Sequence, residues 1–125
     1  MRFPERRILY AGSDKDSCIS VGMMLSEADE GFGIVAVANA DKALRLLACE
    51  SFDLYIIDCC LDGIGGVGLC RQIRLAVPKT PIMFFVGASH AADCKTAIGA
   101  GADVCFSKSN DLDMFTDMVG RLLKG

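Results

Sequence analysis

The sequence predicts an α/β fold in which five parallel strands form one doubly wound sheet with helices on both faces, a three-layer αβα arrangement. Three observations predict it. Short apolar runs alternate with segments whose apolar residues recur at helical spacing. The apolar runs are nearly continuous, which is typical of strands buried on both faces of a parallel sheet. The 125 residues contain no internal repeat or linker, so we expect one domain over residues 1–125.

Five apolar runs, each followed by turn or polar residues, predict the strands. The first run leads into Gly-Ser-Asp and the third leads into Asp58. The predicted strands are residues 8–11, 34–37, 54–57, 82–86 and 104–106. Because open α/β sheets bind ligands at the carboxyl ends of their strands, the residues that follow each strand are the candidate site.

Helical spacing of apolar residues predicts a helix after each strand. Asp14 or Ser17 is placed to cap the first helix, Pro78 ends the third, and Asn110 or Asp111 begins the last. The apolar stripes are, in chain order, Val21, Met24, Leu25 and Ala28; Ala43, Leu44 and Leu47; Val67, Cys70, Ile73 and Val77; Ala91, Cys94 and Ile98; and Leu112, Phe115, Val119, Leu122 and Leu123.

Composition and charge exclude several classes of protein. With 52% hydrophobic and 23% charged residues, the chain has a globular rather than a disordered composition. A net charge of −3 and a pI near 5.0 argue against a nucleic-acid-binding domain. No apolar run reaches the roughly 18 residues that a membrane span needs, and the amino terminus does not read as a secretory signal. We therefore expect a cytoplasmic protein that binds neither membrane nor nucleic acid.

The seven cysteines form no C-x-x-C motif, and Cys59 and Cys60 are adjacent, where a bridge between them would be strained. We expect reduced, buried thiols that act as small hydrophobic residues. The alternative is a redox-active or soft-metal cluster near the carboxyl end of the sheet, built from Cys59, Cys60 and Cys105 with Cys18 above them.

Gly63-x-Gly65-x-x-Gly68 has the spacing of a dinucleotide-binding fingerprint. The motif follows the third strand rather than the first, and no carboxylate stands about 20 residues beyond it to hold a ribose. We therefore interpret it as a loop that enters a helix, in which glycine supplies positive φ where the turn needs it.

The stretch FDLYIIDCCLDGIGGVGLCRQIR, together with TPIMFFVG and AIGAGADVCFSK, resembles the receiver domain of bacterial response regulators. The resemblance runs from Arg7 to Leu123. It implies a flavodoxin-like (βα)₅ fold and a role in two-component or phosphorelay signalling. It implies no enzyme activity beyond phosphoacceptance.

By this resemblance, Asp58 is the phosphoacceptor and Lys108 is the cation that contacts the phosphoryl group. A carboxylate that attacks a phosphoryl donor needs a divalent cation and a positive side chain to offset the developing charge. The resemblance implies Mg²⁺ held by an acidic pair after the first strand, by Asp58 and by the backbone carbonyl of Cys60.

The sequence departs from the family pattern at the metal site. Gly12 and Ser13 stand where the acidic pair is expected, so we do not expect a complete Mg²⁺ site. Asp14 or Asp16 is the candidate that would replace part of the lost pair.

Three further departures concern the phosphate contact and the transmission of the signal. Val86 replaces the hydroxyl residue after the fourth strand, and Cys105 replaces the aromatic switch residue. Phe106 should face the other side of the sheet. Ser109 replaces the proline after Lys108, so we expect a trans peptide bond there.

Together these residues predict a receiver with a degenerate phosphorylation pocket that acts mainly as a protein-interaction module. The alternatives are a working phosphoacceptor that uses Asp14 or Asp16, and a cysteine-based redox or metal-responsive variant. By resemblance, the partner is a sensor kinase, a downstream effector or a second copy, docked on the face between Val104 and Leu123. Whether the chain stands alone or belongs to a longer protein is left open.

Overall fold

The computed structural model of the protein describes residues 6–13, 32–59, 61, 64–87, 92–107 and 112–124. Five parallel strands form one sheet in the order β2-β1-β3-β4-β5. This is the strand order of the flavodoxin-like doubly wound fold, as predicted. The strands are β1 (Arg6–Ala11), β2 (Phe32–Val37), β3 (Leu54–Asp58), β4 (Ile82–Val86) and β5 (Val104–Ser107).

The described helices are numbered α1 to α4 in chain order. They are α1 (Ala40–Cys49), α2 (Gly65–Ala76), α3 (Asp93–Ala100) and α4 (Leu112–Lys124). The helix predicted between β1 and β2 lies outside the described residues. No helix in the described ranges is long and apolar enough to cross a membrane.

The sheet separates two apolar clusters because successive side chains of a strand point to opposite faces. The first cluster packs between the sheet and α1, α2 and α3, around Ile57, Leu69, Ile73 and Phe84. The second packs between the sheet and α4 and contains the aromatic contacts among Phe85, Phe106 and Phe115. The central strands β3 and β4 are buried throughout, as their continuous apolar runs predicted.

The predicted stripes of α1 and α4 are largely confirmed. Asn39 begins α1 by accepting a hydrogen bond from the Lys42 amide at 2.9 Å, and Ala43 packs into the first cluster. In α4, Phe115 and Val119 are buried, and Leu122 and Leu123 pack beside them.

The stripe predicted for α3 was wrong at Ile98, whose side chain is 46% exposed. The buried residues of this short helix are Ala97 and Ala100. Small side chains let α3 approach α2 closely, where the Cys70 thiol lies 3.8 Å from the Ala97 carbonyl oxygen. The hydrophobicity of Ile98 misled the prediction because its position faces solvent.

Arg74 of α2 joins the end of α3 to the sheet. Its guanidinium donates to the Gly101 carbonyl from Nε at 2.9 Å and from Nη2 at 2.7 Å. It pairs with Asp103 at 2.7 Å, and Asp103 in turn accepts the Ile82 amide at 2.8 Å. Nη1 also donates to the carbonyls of Val77, Pro78 and Thr80. One side chain therefore satisfies carbonyls of two loops at the amino-terminal end of β4.

Candidate functional site

The candidate site lies at the carboxyl ends of β1 and β3, which are neighbours in the sheet. The register pairs Tyr10 with Ile56 and Ala11 with Ile57. Asp58 therefore follows immediately beyond the last pair. Because side chains alternate, Asp58 shares the face of Ile56, and Tyr10 lies on that same face. Parallel pairing thus brings the side chains of Tyr10 and Asp58 together.

Asp58 is fully buried, and it is the one polar or charged residue in the described ranges to be so. The Tyr10 hydroxyl donates a hydrogen bond to Asp58 Oδ2 at 3.1 Å, with both side chains buried. A buried carboxyl group needs such partners, because an unsatisfied polar group away from water costs about 1–3 kcal/mol. Tyr10 is therefore a site residue, although its place in an apolar run predicted only that it belongs to a strand.

Gly12 makes room for this hydrogen bond. A Cβ atom placed on Gly12 would lie 2.9 Å from both Cε1 and the hydroxyl oxygen of Tyr10, and 3.1 Å from Cβ of Asp58. A side chain here would have to displace Tyr10. The sequence signal that was available is a tyrosine near the end of β1 followed two residues later by glycine on the same face.

Ser13 is turned to the backbone of a neighbouring loop. Its hydroxyl donates to the Ala38 carbonyl at 3.1 Å, and the Gly12 amide donates to the Val37 carbonyl at 2.9 Å. Both residues that stand in place of the acidic pair are thus bound to the backbone at the end of β2, at Val37 and Ala38. Neither supplies a carboxylate toward Asp58.

The described residues do not fit a Mg²⁺ site. Mg²⁺ prefers an octahedron of oxygen ligands with one or two carboxylates. Asp58 supplies one carboxylate, and one of its oxygens already accepts the Tyr10 hydroxyl. Within the described part of the chain, no three His, Cys, Asp or Glu residues are grouped so that they could hold a metal ion.

Val86 ends β4 with its side chain buried in the first cluster, so it offers no hydrogen bond at this edge. The amide of Cys59 donates to the Phe85 carbonyl at 3.0 Å, which continues the pairing of β3 and β4 past Asp58. β3 and β4 therefore stay paired one residue past Asp58, and the side chain of Val86 is apolar and packs into the first cluster.

The glycines after β3 serve the turn into α2, as the interpretation of the motif predicted for Gly65. Gly65 has φ of 82°, a conformation that favours glycine. Gly66 was not singled out, and it has the tighter environment. A Cβ there would lie 2.7 Å from the Asp58 carbonyl oxygen and 3.2 Å from Cα of Cys59. α2 therefore begins in direct contact with the backbone that carries Asp58.

Residues 8–120 match the response regulator receiver domain. This match covers most of the chain. The chain belongs to the response regulator receiver family. A receiver acts in two-component signalling, and receivers of this family typically bind Mg²⁺ in an acidic pocket.

Relatives and solved structures agree with this assignment. The receiver is 31% identical to the uncharacterized transcriptional regulatory protein YrkP of Bacillus subtilis over 104 residues, covering 82% of this chain and 42% of YrkP. It superimposes on the receiver domain of NtrX from Brucella abortus with a TM-score of 0.86 and 25% identity, covering 94% of this chain and 98% of the other. A putative response regulator from Chloroflexus aurantiacus shares the fold at a TM-score of 0.88 and 22% identity, covering 96% and 98%.

The chain spans less than half the length of the curated relatives it matches, such as the transcriptional regulatory protein AfsQ1 of Streptomyces coelicolor, of which it covers 40%. The receiver therefore corresponds to part of those regulators.

The structure describes only some of the predicted site residues of the receiver. It places Asp58, Gly12, Ser13 and Val86 at one edge of the sheet. Other predicted residues lie outside the described ranges, so their roles stay predictions: Asp14, Asp16, Cys60, Lys108 and Ser109.

The expectation that the cysteines are reduced was wrong for two of them. Cys94 in the first turn of α3 and Cys105 in β5 form a disulfide, with Cα atoms 5.7 Å apart. The pair meets because α3 packs over β5, a contact that local sequence patterns do not reveal. Cys105 faces the first cluster and Phe106 the second, so the prediction of opposite faces is confirmed.

Burial changes the acidity of two side chains on the side of α1 to α3. The pKa of the Cys70 thiol is raised to about 11, chiefly because burial disfavours the thiolate. Burial also raises the pKa of the Tyr55 hydroxyl. Cys70 is therefore a packing residue rather than a nucleophile.

Proposed function

We propose that this receiver transmits its signal as a protein-binding module, with a pocket in which Tyr10 engages Asp58 in place of Mg²⁺ and a phosphoryl group. The observation that supports the proposal is the hydrogen bond of 3.1 Å from the Tyr10 hydroxyl to Asp58 Oδ2. This hydrogen bond engages Oδ2 of Asp58, which is the one buried carboxyl group in the described residues.

The chemistry of phosphoryl transfer supports the same conclusion. The attacking carboxylate must approach the phosphorus in line, and cations must offset the charge that develops on the phosphoryl oxygens. The partner of Asp58 Oδ2 at this edge is the uncharged Tyr10 hydroxyl, and Gly12 and Ser13, which stand where the acidic pair of the family is expected, carry no charge. A hydroxyl that donates to Oδ2 also competes with a metal ion for that oxygen.

The proposed interaction surface is the one formed by β5 and α4. Met114 is 55% exposed on α4, where it lines a groove together with Asp117, Met118 and Arg121. A methionine-containing surface with charged neighbours suits a reversible contact with a kinase, an effector or a second copy.

The role of this surface is tested most simply through self-association. Met114→Glu should weaken any concentration-dependent dimer measured by sedimentation equilibrium. Leu75→Glu is the matched control, because Leu75 is 75% exposed but lies on α2. Equal weakening of the dimer by the two substitutions would rule out β5 and α4 as the dimer surface.

The absence of phosphoacceptance is tested by intact mass after incubation with a small phosphodonor and Mg²⁺. The receiver should gain no phosphoryl group at any Mg²⁺ concentration, in the presence or absence of reductant. An acid-stable, hydroxylamine-labile gain of one phosphoryl group that is absent from Asp58→Asn would overturn the proposal. That result would instead support a working phosphoacceptor with Asp14 or Asp16 as a metal ligand.

Mg²⁺ binding is the second readout, since it does not depend on the choice of phosphodonor. NMR spectra of the wild type and Asp58→Asn should respond alike to added Mg²⁺. A titration centred on residues around Asp58 in the wild type alone would contradict a pocket without a metal site.

A further inference from the structure

The disulfide between Cys94 and Cys105 joins a helix to an edge strand. β5 pairs only with β4 in the sheet, and Cys105 lies opposite Phe84 in that pairing. Cys94 lies in the first turn of α3, which covers the same face. The bond closes a short segment of the chain, since the two cysteines are 11 residues apart. It fixes the start of α3 over the middle of β5.

α3 depends on such anchors because its own sequence stabilises it weakly. It has eight residues, and its cap Ala92 makes no side-chain hydrogen bond to the first turn. Isolated helices shorter than about 12 residues are marginal in water, so packing must supply the stability. Gly99 lies within the helix and adds conformational freedom to the unfolded chain.

The carboxyl-terminal end of α3 has anchors that do not involve sulfur. Ala97 and Ala100 are buried against α2, and the Gly101 amide caps the helix by donating to the carbonyl of Ile98 at 3.1 Å. Arg74 holds the Gly101 carbonyl. If the disulfide were broken, these contacts would therefore keep the carboxyl-terminal end of α3 in place, whereas the first turn would lose its covalent anchor.

The first turn is the end of α3 that the disulfide joins to β5. A change in the order of this turn would alter the surface between α3 and β5.

We propose that Cys94 and Cys105 form a reversible redox modification site that controls the order of the first turn of α3. The co-reactant is a low-molecular-weight disulfide or, in reverse, a small dithiol. One protein thiolate attacks the small disulfide and releases one small thiol. The second protein thiolate then displaces the other small thiol, so two protein S–H bonds become one S–S bond and two small thiols are produced.

The placement of the cysteines supports exchange at this pair. Cys94 and Cys105 are both partly exposed, whereas Cys70, which also contacts α3, is fully buried. Thiol–disulfide exchange requires access to a sulfur, so partly exposed cysteines are better placed for it than the buried Cys70. The proposal does not rest on phosphorylation or on its absence, because it concerns a different cluster of residues.

The first measurement is differential alkylation with peptide mass spectrometry. The receiver is equilibrated with mixtures of a reduced and an oxidised small thiol, and the remaining thiols are then blocked. Cys94 and Cys105 should lose and regain reactivity together and be joined to each other, while the exposed Cys49 should lose reactivity only as a mixed disulfide with the small thiol, which its peptide mass reveals. A bond that native protein does not release to excess small dithiol, or one that never forms, would overturn the proposal.

The second measurement is hydrogen exchange of the oxidised and reduced wild-type protein. Reduction should speed exchange of the Ala97 and Ile98 amides, which donate to the carbonyls of the first turn of α3, by about tenfold or more, because local opening then costs less free energy. Exchange in α1, which the bond does not touch, should stay the same. In both redox conditions, hydrogen exchange in Cys94→Ser should match that of the reduced wild-type protein. Hydrogen exchange in Cys49→Ser should depend on the redox conditions as it does in the wild type. Bond formation without any change in α3 would contradict control of its order.

Discussion

Tyr10 and Asp58 form a buried pair across neighbouring strands, joined by a hydrogen bond of 3.1 Å at the carboxyl edge of the sheet. The strands that carry them, β1 and β3, are adjacent and parallel. The pair places a neutral donor against the carboxyl group that the family uses for phosphoacceptance. The hydrogen bond gives the buried carboxyl group a partner from a neighbouring strand.

Tyr10→Phe should lower the free energy of unfolding by about 1–2 kcal/mol, because it removes the donor and leaves Asp58 with one partner fewer. Urea denaturation at pH 7 measures the loss. The matched test is a double-mutant cycle with Asp58→Ala, in which the cost of Tyr10→Phe should largely disappear. Equal costs in both backgrounds would mean that the two side chains do not interact.

Gly12→Ala should destabilise the receiver by about 1–3 kcal/mol, because its methyl group would overlap the Tyr10 ring and hydroxyl. Thermal denaturation compares it with Gly87→Ala, where an added Cβ meets nothing within 4 Å. The cost should shrink in a Tyr10→Ala background. An unchanged cost there would show that another contact limits position 12.

Gly101→Ala and Gly99→Ala should have opposite effects although the residues are two positions apart. Gly101 has φ of 122°, and a Cβ would lie 2.7 Å from Cβ and Cγ of Arg74. We expect a loss of about 2 kcal/mol or more from strain and overlap. Gly99 is helical with open space around it, so alanine should add about 0.5–1 kcal/mol.

Chemical denaturation of the two alanine variants provides the comparison. A stable Gly101→Ala protein would show that Arg74 can move without losing its contacts. A destabilised Gly99→Ala protein would indicate a contact that the open space around this residue does not predict.

Ionisation of the Cys70 thiol should lower the free energy of unfolding in alkaline solution. Its pKa is about 11 in the folded protein against an ordinary value of 9.0, so the unfolded chain loses this proton first. The contribution is fully present below pH 9 and is lost as the pH rises from 9 to 11. The stability difference between wild type and Cys70→Ala, measured by urea denaturation, should therefore narrow over this range.

Native alkylation at pH 9 gives an independent check of Cys70. Iodoacetamide should modify the exposed Cys49 well before Cys70. Equal rates of modification in a protein that remains folded would contradict the burial and raised pKa of the Cys70 thiol.

The fold was predictable because its strands are continuous apolar runs, and all five lie within two residues of the predicted bounds. A strand that is buried on both faces of a sheet is apolar along its whole length, so it is easily recognised in the sequence. The Tyr10–Asp58 pair left only the tyrosine followed two residues later by glycine, because the pair depends on which strands are neighbours and on a side chain that leans along the strand toward the site. The sequence predicted that Asp58 lies at the edge of the sheet, but it did not predict that Tyr10 is its partner.

The disulfide and the exposure of Ile98 were missed for a related reason. Both depend on how α3 rests on α2 and β5, which small residues such as Ala97 decide. Hydrophobicity favoured Ile98 as a buried residue, whereas close helix packing favoured alanine. Cys94 and Cys105 each fitted an apolar pattern, and only the packed structure brings their Cα atoms within 5.7 Å.

The overlap between Gly12 and Tyr10 also constrains how the pocket can change in evolution. An aspartate at position 12 would add a carboxylate beside Asp58, but its Cβ would collide with the Tyr10 ring. Loss of Tyr10 alone would remove a buried partner of Asp58 before any metal ligand replaced it. Each single substitution toward an acidic pair should therefore pass through a less stable protein, so we expect positions 10 and 12 to change together in evolution.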